Sequence, residues 1–431
     1  MNKVMKVKET ELDILEQKIE EKQEIDRKEY YDNNIAMFNI TREFINKKNL
    51  LLYGGLALNS VLPKNKRFYS EDEVPDYDFF SPAAIKHGKE LANIYARKGY
   101  KHIELKPGLH TGTYKLYVNF ISIADITNIP RQLYTRMKLI SQEERDMILK
   151  NNPDLDLHIA PIYFLKMALH LELSRPNGFI DRWTKVYNRM VLFYKTYPLL
   201  YQECSSSYKN VFVKESDPDY LELIKQLTEY LRLNVYPVFG SEVFKIYLRE
   251  SGYNIPDDYI LDTDMTAFDI ISDDYDKTTR DISAFMSKFY EDKKSITIEK
   301  HSPLYNSEII PSHFIIKHAG RAIITVYDSK ACYAFKEIHG LKICTIDTCL
   351  SFMYGWLLSN RTYYNETKIK CMINILLNLQ KAQYHKNKLF SPFELKCYGY
   401  QLQLEDLKKK KLYNKESFKI YKPKKFLSNK A

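Results

Sequence analysis

The sequence predicts an α/β (α+β) protein with mixed sheets, in which one strand-and-helix unit occurs twice. Three observations predict this fold class. Short apolar strands alternate with helical segments along most of the chain, a Gly-Gly pair joins a strand at 50–53 to a helix at 56–62, and four sequence blocks recur in one order. Helical segments precede the first copy and connect it to the second.

The duplication is the most informative of these observations. The first block, LLLYGGLALNSVL from Leu50, matches VYPVFGSEVFKIYL from Val235. The next two blocks, 76–81 and 116–125, match 267–272 and 321–328. The fourth, FLKMALHLELSRP from Phe164, matches CLSFMYGWLLSNR from Cys349. Chance similarity between short apolar strands could give one or two such matches, whereas four in order indicate a duplicated domain. We therefore expect a sheet with a strand–Gly–helix start in residues 235–330.

The remaining elements follow from hydrophobic periodicity. Residues 1–30 form an amphipathic helix with Leu12, Leu15 and Ile19 on one stripe, and a second helix covers 34–47. Further expected elements are a strand at 77–80, a helix at 83–98, a single alternating strand at 114–126, and helices at 159–173 and 179–197. The domains are then a helical N-terminal region (1–45), the first copy (46–150), a helical connector (151–230), the degenerate second copy (231–385) and a basic C-terminal tail (386–431).

Composition excludes several classes of protein. The 431 residues contain no apolar run near the ~20 residues that span a bilayer, and the charged N-terminus is unlike a secretory signal. The six cysteines never take CxxC spacing, which argues against a zinc site or a disulfide framework and fits a reducing compartment. Most of the net charge of +10 lies from residue 386 onwards, where thirteen lysines face four acidic residues, as in a solvated tail or a surface for a polyanion.

Paired aspartates are the candidate catalytic groups. Five Asp-x-Asp triplets occur in the chain, and each alone would indicate a loop or a helix cap. Asp76 and Asp78 differ from the others because they lie at the mouth of an apolar strand, 21 residues after Gly55. Residues i and i+2 of a strand face one side, so two such carboxylates can bind a pair of Mg²⁺ ions for in-line attack at phosphorus.

A third carboxylate would complete such a metal site. Asp125, at the end of the predicted strand 114–126, is the candidate, and Asn119 on the same strand is its weaker competitor because an amide is a poorer Mg²⁺ ligand. Gly54 and Gly55 supply a backbone that can approach a triphosphate closely at the start of a helix. A plain tight turn is the alternative for this Gly pair.

These residues carry a family resemblance. LLYGGLALNSVLP, VPDYDFF, the strand ending ADIT, and PIYFLKMALHLELSRPNGFIDRWTKVY resemble the polymerase-β-type nucleotidyltransferases, and more narrowly the poly(A) polymerase catalytic subunits of poxviruses and mimivirus-like viruses. The match is good over residues 50–195, and the degenerate repeat extends it to about residue 380. The two ends of the chain carry no matching motif.

The resemblance implies roles for the matching residues. Asp76 and Asp78 would bind two Mg²⁺ or Mn²⁺ ions, and Asp125 the one that activates the RNA 3′-hydroxyl. The implied nucleotide-binding residues are Gly54, Gly55, Asn59 and Lys166. For Lys166 the alternative is a surface lysine on an amphipathic helix. The second copy has Ala267 in place of Asp76, so it is expected to be inactive.

The resemblance also implies a function: template-independent transfer of AMP from ATP to the 3′ end of mRNA, with release of pyrophosphate. The alternatives are a uridylyl- or CCA-adding enzyme, a nucleotidyltransferase acting on protein or small molecules, and a non-catalytic RNA-binding subunit. Implied partners are RNA, ATP, and either a second copy of the chain or a methyltransferase-type processivity subunit, with no membrane. The implied location is the viral factory in the host cytoplasm, with packaging in the virion.

Overall fold

The computed structural model describes residues 9–73, 75–198, 211–261, 265–289, 295–304, 309–329, 331–359, 364–413 and 420–423. The chain forms two compact units. The first comprises Met1–Ile129, Ser141–Ala160 and Lys411–Ala431, and the second comprises Pro130–Ile140 and Pro161–Lys410. Residues 1–8 of the expected N-terminal helix, Cys204, and the Asp262/Asp264 pair lie outside the described residues.

The first half of the chain alternates helices and strands. In chain order its elements are α1 (Glu9–Lys48), β1 (Leu51–Leu52), α2 (Gly54–Val61), β2 (Tyr77–Ser81), α3 (Ala84–Arg97), β3 (Glu104–Pro107), β4 (Thr113–Val118), β5 (Ile121–Asn128), α4 (Arg131–Glu143), α5 (Arg145–Asn151) and β6 (His158–Ile159). The two helices expected before residue 48 are one continuous helix. Its stripe of Leu12, Leu15 and Ile19 is exposed.

The six strands of the first unit form one mixed sheet in the order β3-β4-β5-β2-β1-β6. The pairs β2/β5 and β1/β6 are parallel, and the other neighbouring pairs are antiparallel. α3 packs on this sheet, and the fully buried Tyr95 of α3 donates its hydroxyl proton to the carbonyl of Met37, 2.6 Å away on α1. A buried hydroxyl is costly unless it is hydrogen-bonded, so this bond fixes α1 against α3.

One expected strand is in fact a hairpin. The stretch 114–126 forms two antiparallel strands, β4 and β5, joined at Asn119 and Phe120, whose φ angles are +49° and +69°. Two residues with positive φ are the geometry of a type I′ turn. Asn119 therefore lies in the turn and not on the strand of Asp125, which removes it as a competitor for the third metal ligand.

The second half repeats this order of elements. They are α6 (Ile162–Leu173), α7 (Trp183–Thr196), β7 (Phe212–Lys214), α8 (Pro218–Arg232), β8 (Val238–Phe239), α9 (Ser241–Glu250), β9 (Tyr259–Leu261), β10 (Phe268–Ser272), α10 (Tyr275–Met286), β11 (Ile296–His301), β12 (His313–His318), β13 (Arg321–Asp328), β14 (Tyr333–Ile338), β15 (Leu341–Cys344), α11 (Ile346–Leu358), α12 (Glu366–Gln383), β16 (Cys397–Tyr398) and α13 (Leu404–Tyr413). None of the described helices is long and apolar enough to span a membrane.

The topology confirms the duplication. Eight strands of the second unit form a sheet in the order β11-β12-β13-β10-β8-β15-β14-β16. Its first six strands match the first sheet in position and direction, with β10/β13 and β8/β15 parallel and β8/β10 antiparallel. β8 runs through Gly240 into α9, as β1 runs through Tyr53 into α2. The residue paired with Asp269 is Thr325, so Thr325, and not Asp328, stands where Asp125 stands in the first sheet.

One expectation about the C-terminal part of the chain is wrong, and one of the two alternatives for its basic tail does not hold at Tyr421. Cys332 and Cys397 form a disulfide with an S–S distance of 1.98 Å, although their spacing had argued against one. They are 65 residues apart, and only the pairing of β14 with β16 brings them together. The basic tail is not simply solvated either: Tyr421 exchanges two backbone hydrogen bonds of 2.9 and 3.0 Å with Leu105 of β3.

Candidate active site

The candidate site begins at the turn between β1 and α2. Gly54 has φ +73°, a conformation that favours glycine, and it starts the helix directly after Tyr53. A Cβ atom at Gly54 would lie 2.3 Å from Oδ2 of Asp78, so no larger residue fits without moving that carboxylate. The backbone N–H of Tyr53 also donates to the carbonyl of Asp78 over 2.9 Å. The Asp78 carboxylate is thereby held beside the first turn of α2, where helix N–H groups lack intrahelical partners.

Two of the carboxylates are neighbours across the sheet, and together with Asp76 we call them the acidic row. Asp78 on β2 and Asp125 on β5 are register partners on neighbouring parallel strands, which lie about 4.8 Å apart in sheets. Asp76 comes two residues before Asp78, immediately before β2, and all three aspartates are partly exposed. The strand pairing thus brings Asp78 and Asp125 together as the sequence predicted, and Asp76 is the residue that directly precedes β2.

Lys115 is a neighbour of the acidic row that sequence reasoning missed. It lies on β4 as the register partner of Asp125, and its ammonium group forms an ion pair with Oδ2 of Asp125. The alternation of β4 places Lys115 on the same face, but the register that pairs it with Asp125 depends on the unrecognised hairpin. The other carboxylate oxygen, Oδ1 of Asp125, is buried and accepts no hydrogen bond from the residues that the structure describes.

The ionisation of Asp125 reflects these neighbours. Burial raises its pKa above the ordinary value, the hydrogen bond and charge of Lys115 lower it, and the negative charge of Asp76 raises it again. The net effect is a raised pKa. A carboxylate in this state, with a buried unpartnered oxygen, gains from a second cation close by.

No three His, Cys, Asp or Glu side chains in the described part of the chain are grouped closely enough to hold a metal ion. The three-carboxylate metal set is therefore not preassembled, and the positive charge beside Asp125 comes from Lys115. The donor set nevertheless fits divalent cations: Mg²⁺ and Mn²⁺ prefer carboxylate oxygens, and within the described part of the chain Oδ1 of Asp125 has no hydrogen-bond partner.

The other predicted nucleotide-binding residues of the first unit lie on α2. Gly55 lies in the first turn of this helix. Asn59 is buried, and its Oδ1 accepts hydrogen bonds from the backbone N–H groups of Phe68 and Tyr69, which orders the loop after α2. The contacts of Gly55 and Asn59 with a nucleotide stay predictions.

Lys166 has a setting that neither interpretation of the sequence anticipated. It lies on α6 in the second unit, is 1% exposed, and donates a 2.7 Å hydrogen bond to the carbonyl of Tyr197. Its ammonium group also lies 4.6 Å from the centre of the Tyr194 ring. It is therefore not a surface lysine, and contact with phosphate would require a phosphate oxygen to reach this buried ammonium group, which has three N–H donors.

Two similar sheets, one of them with an acidic row beside a glycine turn, define a duplicated α/β fold with mixed sheets. Residues 39–177 match the family model described as "Poly(A) polymerase catalytic subunit". The solved structure of the Megavirus polyadenylate synthase has the same fold, with a TM-score of 0.81 and 19% identity over 98% of this chain and 87% of that chain.

Curated relatives agree with this match. The chain is 26% identical over 374 residues to the "Putative poly(A) polymerase catalytic subunit" of Acanthamoeba polyphaga mimivirus, covering 82% of this chain and 59% of the relative. It is 29% identical over 176 residues to the protein of the same name from African swine fever virus, covering 41% of this chain and 36% of the relative. The chain thus spans little more than half of the first relative and about a third of the second. The resemblance drawn from the sequence is confirmed.

Proposed function

We propose that this chain is a template-independent poly(A) polymerase, which transfers AMP from ATP to the 3′ end of RNA. The observation that carries the proposal is the pairing of Asp78 with Asp125 on adjacent parallel strands beside the start of α2. The family match over residues 39–177 covers this whole constellation.

The reaction forms one phosphorus–oxygen bond and breaks another. The 3′-hydroxyl oxygen of RNA attacks the α-phosphorus of ATP and loses its proton, while the bond to the bridging oxygen breaks and pyrophosphate leaves with that electron pair. Asp76, Asp78 and Asp125 would hold two Mg²⁺ or Mn²⁺ ions, which supply charge neutralisation at the phosphates and lower the pKa of the attacking hydroxyl.

The protein's own residues position the reactants. Gly54 and Gly55 let the phosphates approach the free N–H groups of the first turn of α2. Asn59 accepts hydrogen bonds from the backbone of the loop after α2 and so holds that loop against the helix. Lys115 lowers the pKa of Asp125 against the effect of burial and so favours the ionised form, which is the one that binds cations.

The test is elongation of a labelled oligonucleotide RNA with each nucleoside triphosphate in turn and Mg²⁺ present. ATP alone should support long extension with one pyrophosphate released per addition. Asp78→Asn and Asp125→Asn should each lower the rate by ~10³-fold or more. The matched control, Asp269→Asn in the second copy, should retain the rate.

The rival functions give different products. Extension with UTP would make the protein a uridylyltransferase, and limited addition of CTP followed by ATP would make it a CCA-adding enzyme. RNA binding without any nucleotide addition would identify a non-catalytic subunit. Each of these results would replace the proposal.

Partners and location are part of the same proposal. RNA and ATP would be its substrates, and either a second copy or a methyltransferase-type subunit would support processive extension. In sedimentation equilibrium a monomer would have a molar mass near 51.1 kDa, and a homodimer would have twice that value. Action in the host cytoplasm and packaging in virions would be tested by fractionation of infected cells and purified particles.

A further inference from the structure

The second unit contains a cavity of about 300 Å³ at the position that corresponds to the candidate active site. It opens beside the start of α9, and its lining includes Ser241, Thr266, Asp269, Arg321, Thr325 and Trp356. Its volume lies at the lower end of the range for small-molecule sites in proteins. The degenerate copy has therefore lost its paired acids without filling the space beside them.

Two buried polar atoms on the cavity wall lack partners. Asp269 is 2% exposed, and the side-chain hydrogen bonds that Thr266, Thr325 and Tyr327 make to its carboxylate leave Oδ2 without a partner. Trp356 is 1% exposed, and its indole Nε1–H donates no hydrogen bond among the residues that the structure describes. Leaving a buried donor or acceptor unpaired costs about 1–3 kcal/mol each. A ligand that offers one donor and one acceptor would remove both penalties.

The comparison with the first copy shows what kind of site this is. A Cβ atom at Gly240 would lie 2.7 Å from Oδ2 of Asp269, so the contact between glycine and carboxylate seen at Gly54 and Asp78 is retained. Ala267 and Thr325 replace the other two acids of the row. One carboxylate cannot hold a pair of divalent cations, so a ligand here would bind without metal.

Cationic side chains lie where the cavity meets the surface. Arg321 stacks on the ring of Tyr220 at 3.3 Å and pairs with Glu215 at 2.7 Å. Lys317 also lines the cavity and pairs with Glu299 at 2.6 Å. The cavity thus combines an aromatic, hydrogen-bonding interior with a mouth that can attract phosphate.

We propose that this cavity binds one nucleoside monophosphate unit without metal, with the base towards Asp269 and Trp356 and the phosphate towards Arg321 and Lys317. The unit could be free or part of an RNA strand, since both offer the same chemistry. The choice of adenylate as the probe rests on the proposed function. Binding at a second site would let the enzyme sense adenylate or bind RNA without changing the rate of nucleotide addition at the catalytic row.

Tryptophan fluorescence gives a direct test, because Trp183 and Trp356 are the only tryptophans in the chain. In the full-length Trp183→Phe protein, the tryptophan fluorescence comes from Trp356 alone. Titration with AMP in the presence of EDTA should give a saturable change in its emission. Asp269→Asn should weaken AMP binding at least 10-fold, corresponding to about 1.4 kcal/mol. Arg321→Gln should weaken AMP binding while leaving adenosine binding unaffected.

The control is Asp78→Asn in the same background. It should abolish elongation and leave the AMP titration unchanged, so failure of the catalytic proposal and failure of this one are separately visible. If oligoadenylate binds more tightly than AMP, the natural ligand is part of an RNA strand. If AMP binds more tightly than oligoadenylate, the natural ligand is the free nucleotide. The inference would be overturned by any of three results. The emission of Trp356 shows no saturable change with AMP, inorganic phosphate alone competes as well as AMP, or the folded Asp269→Asn and Arg321→Gln proteins bind AMP with unaltered affinity.

Discussion

Replacing Gly54 by alanine should show how much elongation activity depends on the position of the Asp78 carboxylate, as distinct from the stability of the fold. At φ +73° an alanine costs about 1–2 kcal/mol in the left-handed conformation. Its Cβ would lie 2.3 Å from Oδ2 of Asp78, well inside van der Waals contact, so the carboxylate must move by about an ångström or more. A misplacement of about 1 Å at reacting groups costs on the order of 10²-fold in rate.

The chain offers two matched controls for this substitution. Gly99 has φ +88°, and apart from its two chain neighbours no described residue has an atom within 4 Å of the position that a Cβ would take there, so Gly99→Ala carries the backbone cost alone. Gly240→Ala makes the equivalent clash with Asp269 in the second copy. All three variants should lose stability, but only Gly54→Ala should lose elongation activity, by about 10²-fold relative to Gly99→Ala.

The assay is primer elongation at saturating ATP, together with the thermal midpoint of each variant. Gly99→Ala should unfold roughly 2–8 °C below the wild type, from 2–4 °C per kcal/mol for a unit of this size. If Gly54→Ala elongates RNA within twofold of Gly99→Ala, then the Asp78 carboxylate does not depend on this contact, and the catalytic role assigned to the glycine turn is wrong.

Four further outcomes follow from the structure. Lys115→Met should move the acidic limb of the pH–rate profile to higher pH, because loss of the ammonium raises the pKa of Asp125 further; an unmoved limb would contradict the role of Lys115. Burial raises the pKa of Asp269 to about 7, so the wild type should lose up to roughly 4 kcal/mol of stability between pH 4 and 7, and Asp269→Asn should unfold with a shallower pH dependence. Cys397→Ser should lower the free energy of unfolding by about 4 kcal/mol or less, and thiol labelling of the unreduced wild type should leave Cys332 and Cys397 unmodified. Lys408→Gln with Lys409→Gln, both exposed on α13, should flatten the salt dependence of RNA affinity by about 0.7 for each RNA phosphate that the lysines no longer neutralise; an unchanged slope would place the RNA path elsewhere.

The acidic row could be predicted because its signals are local. Asp76 and Asp78 flank one residue of a single strand, and Asp125 lies near the end of another alternating strand, so spacing and periodicity suffice to propose them. The duplication was visible for the same reason, since each block matches over a short stretch. The sheet order then follows from the repeated topology of the two halves.

The features that escaped prediction depend on pairing between distant strands. Asn119 is a residue type that turns favour, but no glycine follows it and alternation continues through both strands, so composition alone does not mark a hairpin here. Without that turn the partnership of Lys115 with Asp125 cannot be seen. The bond between Cys332 and Cys397 likewise depends on the pairing of β14 with β16 across 65 residues.

The two copies within one chain separate what the fold needs from what the chemistry needs. Both copies keep a glycine with positive φ against an aspartate Oδ2, although the second has lost two of the three acids. That contact is therefore a property of the strand–turn–helix start, and by itself it does not identify a catalytic site. The difference lies in the neighbours: Asp76 and Asp125 become Ala267 and Thr325, which leaves one buried acid with a raised pKa in place of a row that can bind cations. Catalysis in this chain should accordingly be more sensitive to Asp76 and Asp125 than stability is, whereas Asp78 should affect both.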